Sequence, residues 1–231
     1  GYYWRFDPTY LLIIIGMLLS LAASAKLKST FAVYRSRRSA SGLTGAEAAR
    51  RILNAAGITD VQIVPVSGSL TDHYDPRSKT VRLSEDIYGQ TSLAAVGVAA
   101  HECGHAIQHH IDYAPLSIRS ALVPVANFGS TLSWPLFFAG LIFSIQPLLT
   151  LGIVLFSFAV LFQLVTLPVE LNASSRALHM LESTGILSRD ENSGARKVLR
   201  AAALTYVAAL ASSILQLLRL IILAGGRRSD D

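Results

Sequence analysis

Fifty consecutive residues, 120–169, contain no Asp, Glu, Lys, Arg or His. Two membrane spans need about 20 apolar residues each, so this stretch is long enough for a transmembrane hairpin. A soluble domain averages about 25% charged residues, whereas 15% of this chain is charged and 52% is hydrophobic. These features exclude an ordinary soluble globular protein and an intrinsically disordered chain, and they predict an integral membrane protein.

The apolar residues fall into segments that predict about four transmembrane helices. The first segment, 10–25, follows aromatic residues and precedes Lys26 and Lys28, which favours a retained anchor over a cleaved signal peptide. The uncharged stretch predicts one span at 121–143 and a second at 148–167, with a turn at 145–147. The last run, 201–225, contains one charge, Arg219, and we interpret it as a fourth span. An amphipathic helix on the membrane surface is the alternative.

These segments divide the chain into five parts. They are an N-terminal transmembrane anchor (1–25), a polar α+β part (26–120), a transmembrane hairpin (121–167), a polar helix (168–200), and a C-terminal transmembrane helix with its tail (201–231). The two polar parts hold eleven and five of the twenty Lys and Arg residues. Because positive charge marks the cytoplasmic side of a membrane protein, we expect a multi-pass protein of a bacterial plasma membrane with both polar parts in the cytoplasm.

The polar part 26–120 shows signals for both helices and strands. Thr44 and Glu47 form a capping-box pattern that predicts a helix ending at Gly57. Residues 61–64 and 80–84 alternate as strands do, residues 71–76 predict a turn, and residues 92–111 predict an Ala-rich helix. The fold class is therefore a mostly α membrane protein with a small α+β cytoplasmic part.

The predicted helix 92–111 carries the pattern H-E-x-x-H, formed by His101, Glu102 and His105. Residues four apart lie on one face of a helix, about 6 Å apart along its axis, so both imidazoles can reach one Zn²⁺. Glu102 lies beside the first ligand and can accept a proton from the water that the metal activates. Two surface histidines on an amphipathic helix are the alternative interpretation.

A catalytic zinc site needs a third protein ligand. Gln108 and Ile111 stand where a metzincin has Gly and His, so that class is excluded. Glu170 is the first charged residue after the hairpin, and the hairpin returns the chain to the side that holds His101 and His105. Glu170 follows Pro168 in what we predict to be the first turn of a helix, and a carboxylate that complements the helix dipole is the alternative role.

The segments HECGHAIQH, LTDHYDPRSKTVRLSEDIY and LPVELNASSRAL together resemble the YugP-like membrane neutral zinc metallopeptidases. The resemblance covers nearly the whole chain, from residue 6 to the last predicted span. It implies a zinc-dependent endopeptidase with a zincin-like H-E-x-x-H part, in which His101, His105 and Glu170 bind Zn²⁺ and Glu102 is the general base. The plan is more distantly similar to the HtpX type of membrane protease, which implies damaged or misassembled membrane proteins as substrates.

The helix of those distant relatives reads E-x-x-x-D, and its Asp supports a metal-bound His. Here Ser174 stands four residues after Glu170, and Asn172 is the nearest polar substitute. We expect Arg176 or His179 to stabilise the oxyanion of the reaction, with His73 and Tyr74 as weaker candidates. Residues 80–84 are a candidate edge strand for pairing with an extended substrate, and an ordinary sheet strand is the alternative.

Two other function classes stay open. A catalytically silent scaffold or regulator could bind zinc in the same way, and a transport protein could have the same number of spans. The near absence of ionisable residues in the spans argues against an ion path. No basic run is interleaved with aromatic residues, so we expect the lipid bilayer and a peptide or protein substrate as partners, and no nucleic acid.

Overall fold

The computed structural model describes residues 7–225, which form seven α-helices and three β-strands. The helices are α1 (Tyr10–Arg35), α2 (Gly45–Ala55), α3 (Glu85–Tyr88), α4 (Leu93–His110), α5 (Ala114–Ile142), α6 (Gln146–Ser183) and α7 (Arg189–Gly225). The strands are β1 (Gln62–Pro65), β2 (His73–Asp75) and β3 (Thr80–Leu83).

Four helices, α1, α5, α6 and α7, are long and apolar enough to cross a membrane. Each of the four predicted apolar segments lies largely within one of them. The prediction of a mostly helical protein with four candidate spans and a small sheet is therefore confirmed. All four helices extend beyond the apolar segments into polar sequence, which the pattern of hydrophobic residues did not reveal.

The predicted helix start at Pro168 is wrong. Helix α6 runs without a break from Gln146 to Ser183 and contains Pro168 in its interior. A proline removes one backbone hydrogen bond, but a helix in apolar surroundings has no water to replace the remaining ones. Glu170 consequently lies in the middle of a long helix, and the alternative role of a carboxylate at a helix N-terminus no longer applies.

Residues 24–117 and 168–204 form one compact unit, which we call the polar unit. Its α2 begins at the predicted capping box, in which Thr44 Oγ1 accepts from the Glu47 amide and Glu47 accepts from the Thr44 amide. Ile52 and Leu53 of α2 are fully buried in one core with residues of α4, the sheet and α6. This core packs on most of the surface of α4 and fixes the helix that carries the H-E-x-x-H pattern.

The small sheet of the polar unit has the strand order β1-β3-β2. Strand β3 pairs in parallel with β1, Gln62 opposite Thr80, and antiparallel with β2, Tyr74 opposite Val81. The prediction of a turn at 71–76 is therefore wrong, because residues 73–75 form β2. The turn lies at Asp75–Lys79 instead, where the Asp75 carboxylate accepts from the Arg77 amide and the Ser78 hydroxyl.

Strand β3 excludes one of the two interpretations that the sequence left open for residues 80–84, that of an edge strand. It has a neighbour on both sides, so its backbone groups are committed within the sheet. Alternation in a single strand indicates which face is buried but carries no information about strand order. The strand therefore has the ordinary role that the sequence left open as the alternative.

Residues 7–23, 118–167 and 205–225 belong to a second compact unit, the apolar unit. Phe137, Leu149 and Leu220 are almost fully buried in its core. Arg219, the single charge of the last apolar run, is bound at the start of α1. Its Nε donates to Thr9 Oγ1 at 3.3 Å, its Nη2 lies 3.9 Å from an Asp7 carboxylate oxygen, and its guanidinium lies 4.9 Å from the centre of the Tyr10 ring.

Candidate metal centre

Helix α4 brings the two histidines of the H-E-x-x-H pattern onto one face. The helix begins at Ser92, whose side-chain oxygen accepts from the Ala95 amide at 3.1 Å, so the predicted start is confirmed. One helical turn separates His101 from His105, and their ring centres lie 4.9 Å apart at an angle of 87°. His105 is buried, and His101 is partly exposed.

Glu170 of α6 faces both histidines. Its Oε2 lies 2.8 Å from His101 Nε2 and 3.2 Å from His105 Nε2. The carboxyl group is buried, with 3% of the residue exposed. The structure thus brings together the three residues that the sequence analysis selected as metal ligands, and their ligand atoms all lie within 4.8 Å of one another.

The close approach of α4 and α6 depends on Gly104. A Cβ atom at this position would collide with the backbone carbonyl of Ala173. Gly104 lies between the two histidines, and Ala173 lies three residues after Glu170. A glycine is therefore required inside the helix, despite its cost to helix stability, because it lets the third candidate ligand reach the other two.

The second nitrogen of each histidine has its own partner. His101 Nδ1 is 2.9 Å from Ser174 Oγ, and His105 Nδ1 is 2.9 Å from Gln108 Oε1. These supporting residues are not assigned from the sequence, where Gln108 serves only to exclude the metzincin class. Gln108 lies three residues after His105 on the same helix face, and that spacing was the signal available in the sequence.

Gln108 determines which nitrogen of His105 carries a proton in the neutral ring. Its Nε2 donates to Val169 O at 2.9 Å and to Asn172 Oδ1 at 3.0 Å, so its Oε1 faces His105 as an acceptor. His105 Nδ1 must therefore donate, which leaves a lone pair on Nε2 directed at the Glu170 carboxylate. The lone pair of His105 Nε2 and the Glu170 carboxylate oxygen, 3.2 Å apart, repel each other unless a positive charge lies between them. That charge can be a metal ion or a proton.

These donors fit zinc. Two imidazole nitrogens and one carboxylate oxygen are a common ligand set of a catalytic Zn²⁺, and a histidine ligand normally donates its other N–H to a neighbouring acceptor. Gln108 supplies that acceptor for His105. His101, His105 and Glu170 could therefore hold one metal ion and leave a position for water.

Glu102 lies on α4 next to His101, and 8% of the residue is exposed. Burial raises the pKa of its carboxyl group, and the nearby His101 and His105 oppose this shift. A carboxyl group with a raised pKa holds an accepted proton more firmly than an exposed carboxylate does, and it can still return that proton. This environment is suitable for a general base, which is the role that the sequence analysis gave to Glu102.

The structure does not bring Arg176 into contact with the three candidate ligands. Its Nε donates to Asn172 Oδ1 at 2.8 Å, and its guanidinium lies 5.5 Å from the centre of the Tyr113 ring. Asn172 in turn binds Gln108, so Arg176 is connected to His105 through two side chains. Stabilisation of an oxyanion by Arg176 stays a prediction.

The other three candidates for that role lie in different surroundings. His179 lines a groove that also includes Ser174. His73 is exposed and bonds to Thr71 O through Nδ1, while the Tyr74 hydroxyl lies 2.7 Å from His109 Nδ1. Burial raises the pKa of Tyr74 to about 12, so its hydroxyl keeps its proton at neutral pH.

Comparisons with known proteins show which family the chain belongs to. Residues 9–225 match a family model described as "putative neutral zinc metallopeptidase". The chain is 50% identical over 220 residues to a protein of Bacillus subtilis (strain 168) named "Putative membrane protease YugP", which covers 95% of this chain and 98% of that protein. No solved structure matches the chain.

Proposed function

Because the chain belongs to the family described as "putative neutral zinc metallopeptidase", we propose that it is a zinc-dependent membrane endopeptidase with Glu102 as its general base. The observation that carries the proposal is the convergence of His101 Nε2 and His105 Nε2 on one buried oxygen of Glu170. In this proposal the three residues hold the metal, as the resemblance found in the sequence implies.

The proposed mechanism assigns each side chain one task. Zinc, when bound, would supply a Lewis acid that activates water and polarises the carbonyl of the scissile peptide bond. Glu102 accepts the proton of the attacking water as the new C–O bond forms. It then gives that proton to the leaving amine as the C–N bond breaks, and the carboxylate is regenerated. Ser174 and Gln108 keep the two imidazoles in the orientation that this task requires.

The proposed setting is a multi-pass protein of a bacterial plasma membrane whose site faces the cytoplasm. It rests on the four candidate spans and on the concentration of Lys and Arg in residues 26–120 and 168–200. With four spans these two segments lie on the same side of the membrane. That arrangement agrees with their joint contribution to the metal centre.

The test is cleavage of an unfolded protein such as casein by the detergent-purified chain, beside the Glu102→Gln variant. Glutamine has the same size as glutamate but cannot accept the proton, so we expect activity to fall at least a hundredfold with bound zinc unchanged. Removal of zinc by a chelator should abolish cleavage, and added Zn²⁺ should restore it.

Three results would contradict the proposal. Equal cleavage by the wild-type chain and Glu102→Gln would show that the activity comes from a contaminant or that Glu102 is not the base. Zinc bound by the wild-type chain without turnover of any unfolded substrate would favour the silent zinc-binding scaffold. Full retention of zinc in Glu170→Ala would show that Glu170 is not a ligand.

A further inference from the structure

A groove of about 390 Å³ lies between α6 and α7 within the polar unit. It begins beside the metal centre, because Ser174, which binds His101 Nδ1, is one of its lining residues. On α6 it extends to Glu182, eight residues and therefore about 12 Å further along the helix axis. An extended peptide covers this distance with about four residues.

A residue that lines the groove carries a buried polar atom without a partner. Asn192 of α7 lines the groove, and 3% of the residue is exposed. Its Nδ2 donates to Leu178 O at 3.2 Å and to Glu182 Oε2 at 3.3 Å, whereas its Oδ1 has no hydrogen-bond partner in the described chain. A buried acceptor without a partner costs free energy, and an N–H donor in the groove would satisfy it once a side-chain movement exposes the oxygen.

Two arginines of α7, Arg196 and Arg200, line the same groove. They follow Asn192 by one and two helical turns on the same helix face. Neither guanidinium has an ion-pair partner among residues 7–225. Because α6 and α7 run in opposite directions and Asn192 contacts Glu182, Arg200 lies toward the Ser174 end of the groove.

We propose that this groove binds the substrate chain beside the scissile bond and selects a peptide that carries a carboxylate. Arg196 and Arg200 bind the carboxylate, and Asn192 Oδ1 accepts from a backbone N–H of the same peptide after a side-chain movement exposes it to the groove. The carboxylate belongs to an acidic side chain or to the C-terminus of the substrate, within about four residues of the cleaved bond. This inference rests on the proposed peptidase function and adds a substrate preference to it.

The first test measures binding, so that it does not depend on turnover. The Glu102→Gln chain in detergent is titrated with three fluorescent peptides that share one sequence apart from the changes given next. One peptide has Glu residues and an amidated C-terminus, the second has Gln in their place and the same amide, and the third has Gln and a free C-terminus. We expect one of the two carboxylate-bearing peptides to bind about tenfold more tightly than the neutral one, as expected for a charge-assisted hydrogen bond.

The matched variants are Arg196→Gln and Arg200→Gln, with Lys197→Gln as the control. Lys197 is an exposed cation on the same helix that does not line the groove. Each arginine variant should lose most of the preference for the carboxylate and leave binding of the neutral peptide unchanged, whereas Lys197→Gln should behave as the unsubstituted protein. Arg200→Glu should reverse the preference and favour a Lys-containing peptide.

The proposal is overturned if the three peptides bind equally or if Lys197→Gln has the same effect as the arginine variants. It is also overturned if anionic phospholipid vesicles bind through Arg196 and Arg200 while the acidic peptides do not. A failure of the peptidase function gives a different result, namely no cleavage of any peptide by the wild-type chain with the binding preference intact. With an active enzyme, the carboxylate-bearing peptide should have a lower KM than the neutral peptide and the same kcat.

Discussion

The side chains around the candidate metal centre divide into the proposed metal ligands and the residues that orient them. His101 and His105 direct their Nε2 atoms at Glu170, and each Nδ1 is occupied by a neutral side chain, Ser174 or Gln108. Ser174 stands at the position where the distantly similar proteases have an aspartate. A hydroxyl can take part in the same hydrogen bond without adding a negative charge, so His101 should be a weaker ligand here than beside a carboxylate.

Substitutions of Ser174 test whether this residue supports His101 as a metal ligand. Ser174→Ala removes the partner of His101 Nδ1 and should lower zinc affinity about tenfold or more, whereas Ser174→Asp should equal or exceed the affinity of the wild type. Competition with a chromogenic zinc chelator measures both values.

The control for this test is Ser175→Ala. Ser175 is the exposed neighbour on α6 and forms no side-chain hydrogen bond within residues 7–225. Equal zinc affinities for Ser174→Ala, Ser175→Ala and the wild type would show that Ser174 does not support His101.

Among the elements, α4 and α6 determine whether the centre can form. Their contact depends on Gly104, where a side chain would collide with the Ala173 carbonyl. Gly97 lies two turns earlier on α4, and a Cβ there would be 3.4 Å from the Ala195 side chain, which is an ordinary contact. The two glycines thus have different functions in one helix.

Gly104→Ala should separate the two helices and destabilise the protein by about 2 kcal/mol, with a loss of zinc affinity. Gly97→Ala should leave zinc affinity unchanged. It should leave stability unchanged or raise it by up to about 1 kcal/mol, because alanine has a higher helix propensity than glycine. Thermal unfolding in detergent, with and without zinc, provides the measurement. Similar results for the two variants would contradict the close-approach argument.

The sequence predicted the elements with strong local signals and missed those that depend on tertiary contacts. Thr44 and Ser92 each marked a helix start correctly, because a cap is a local interaction. Pro168 gave a false helix start, since its effect depends on the surroundings of the whole helix. The three candidate ligands came from spacing and chain order, but the roles of Gln108 and Asn172 required the packing of α6 on α4.

For the whole molecule, the main prediction concerns the side of the membrane on which each segment lies. The single cysteine, Cys103, is fully buried in α4, and its thiol donates to Ala49 O at 3.6 Å. Burial raises the pKa of this thiol, so it should not react with a maleimide while the protein is folded. The natural chain therefore provides an unlabelled background for cysteine mapping.

Single cysteines at two exposed positions test the topology. Ser36 lies just after α1, and Ser144 lies in the turn between α5 and α6. A membrane-impermeant maleimide should label Ser144→Cys in intact cells and should label Ser36→Cys only after the membrane is permeabilised. Labelling of Ser36→Cys in intact cells would place residues 26–120 outside and would refute the proposed orientation.

The distance in sequence between the candidate ligands has a consequence for biosynthesis. His101 and His105 leave the ribosome 69 and 65 residues before Glu170, and the whole apolar hairpin is translated between them. A nascent chain therefore has only two of the three ligands until its second and third spans have been made. On the proposed function, the enzyme cannot assemble its metal centre early, and neighbouring nascent chains at the same translocation site are protected from it until its own insertion is almost complete.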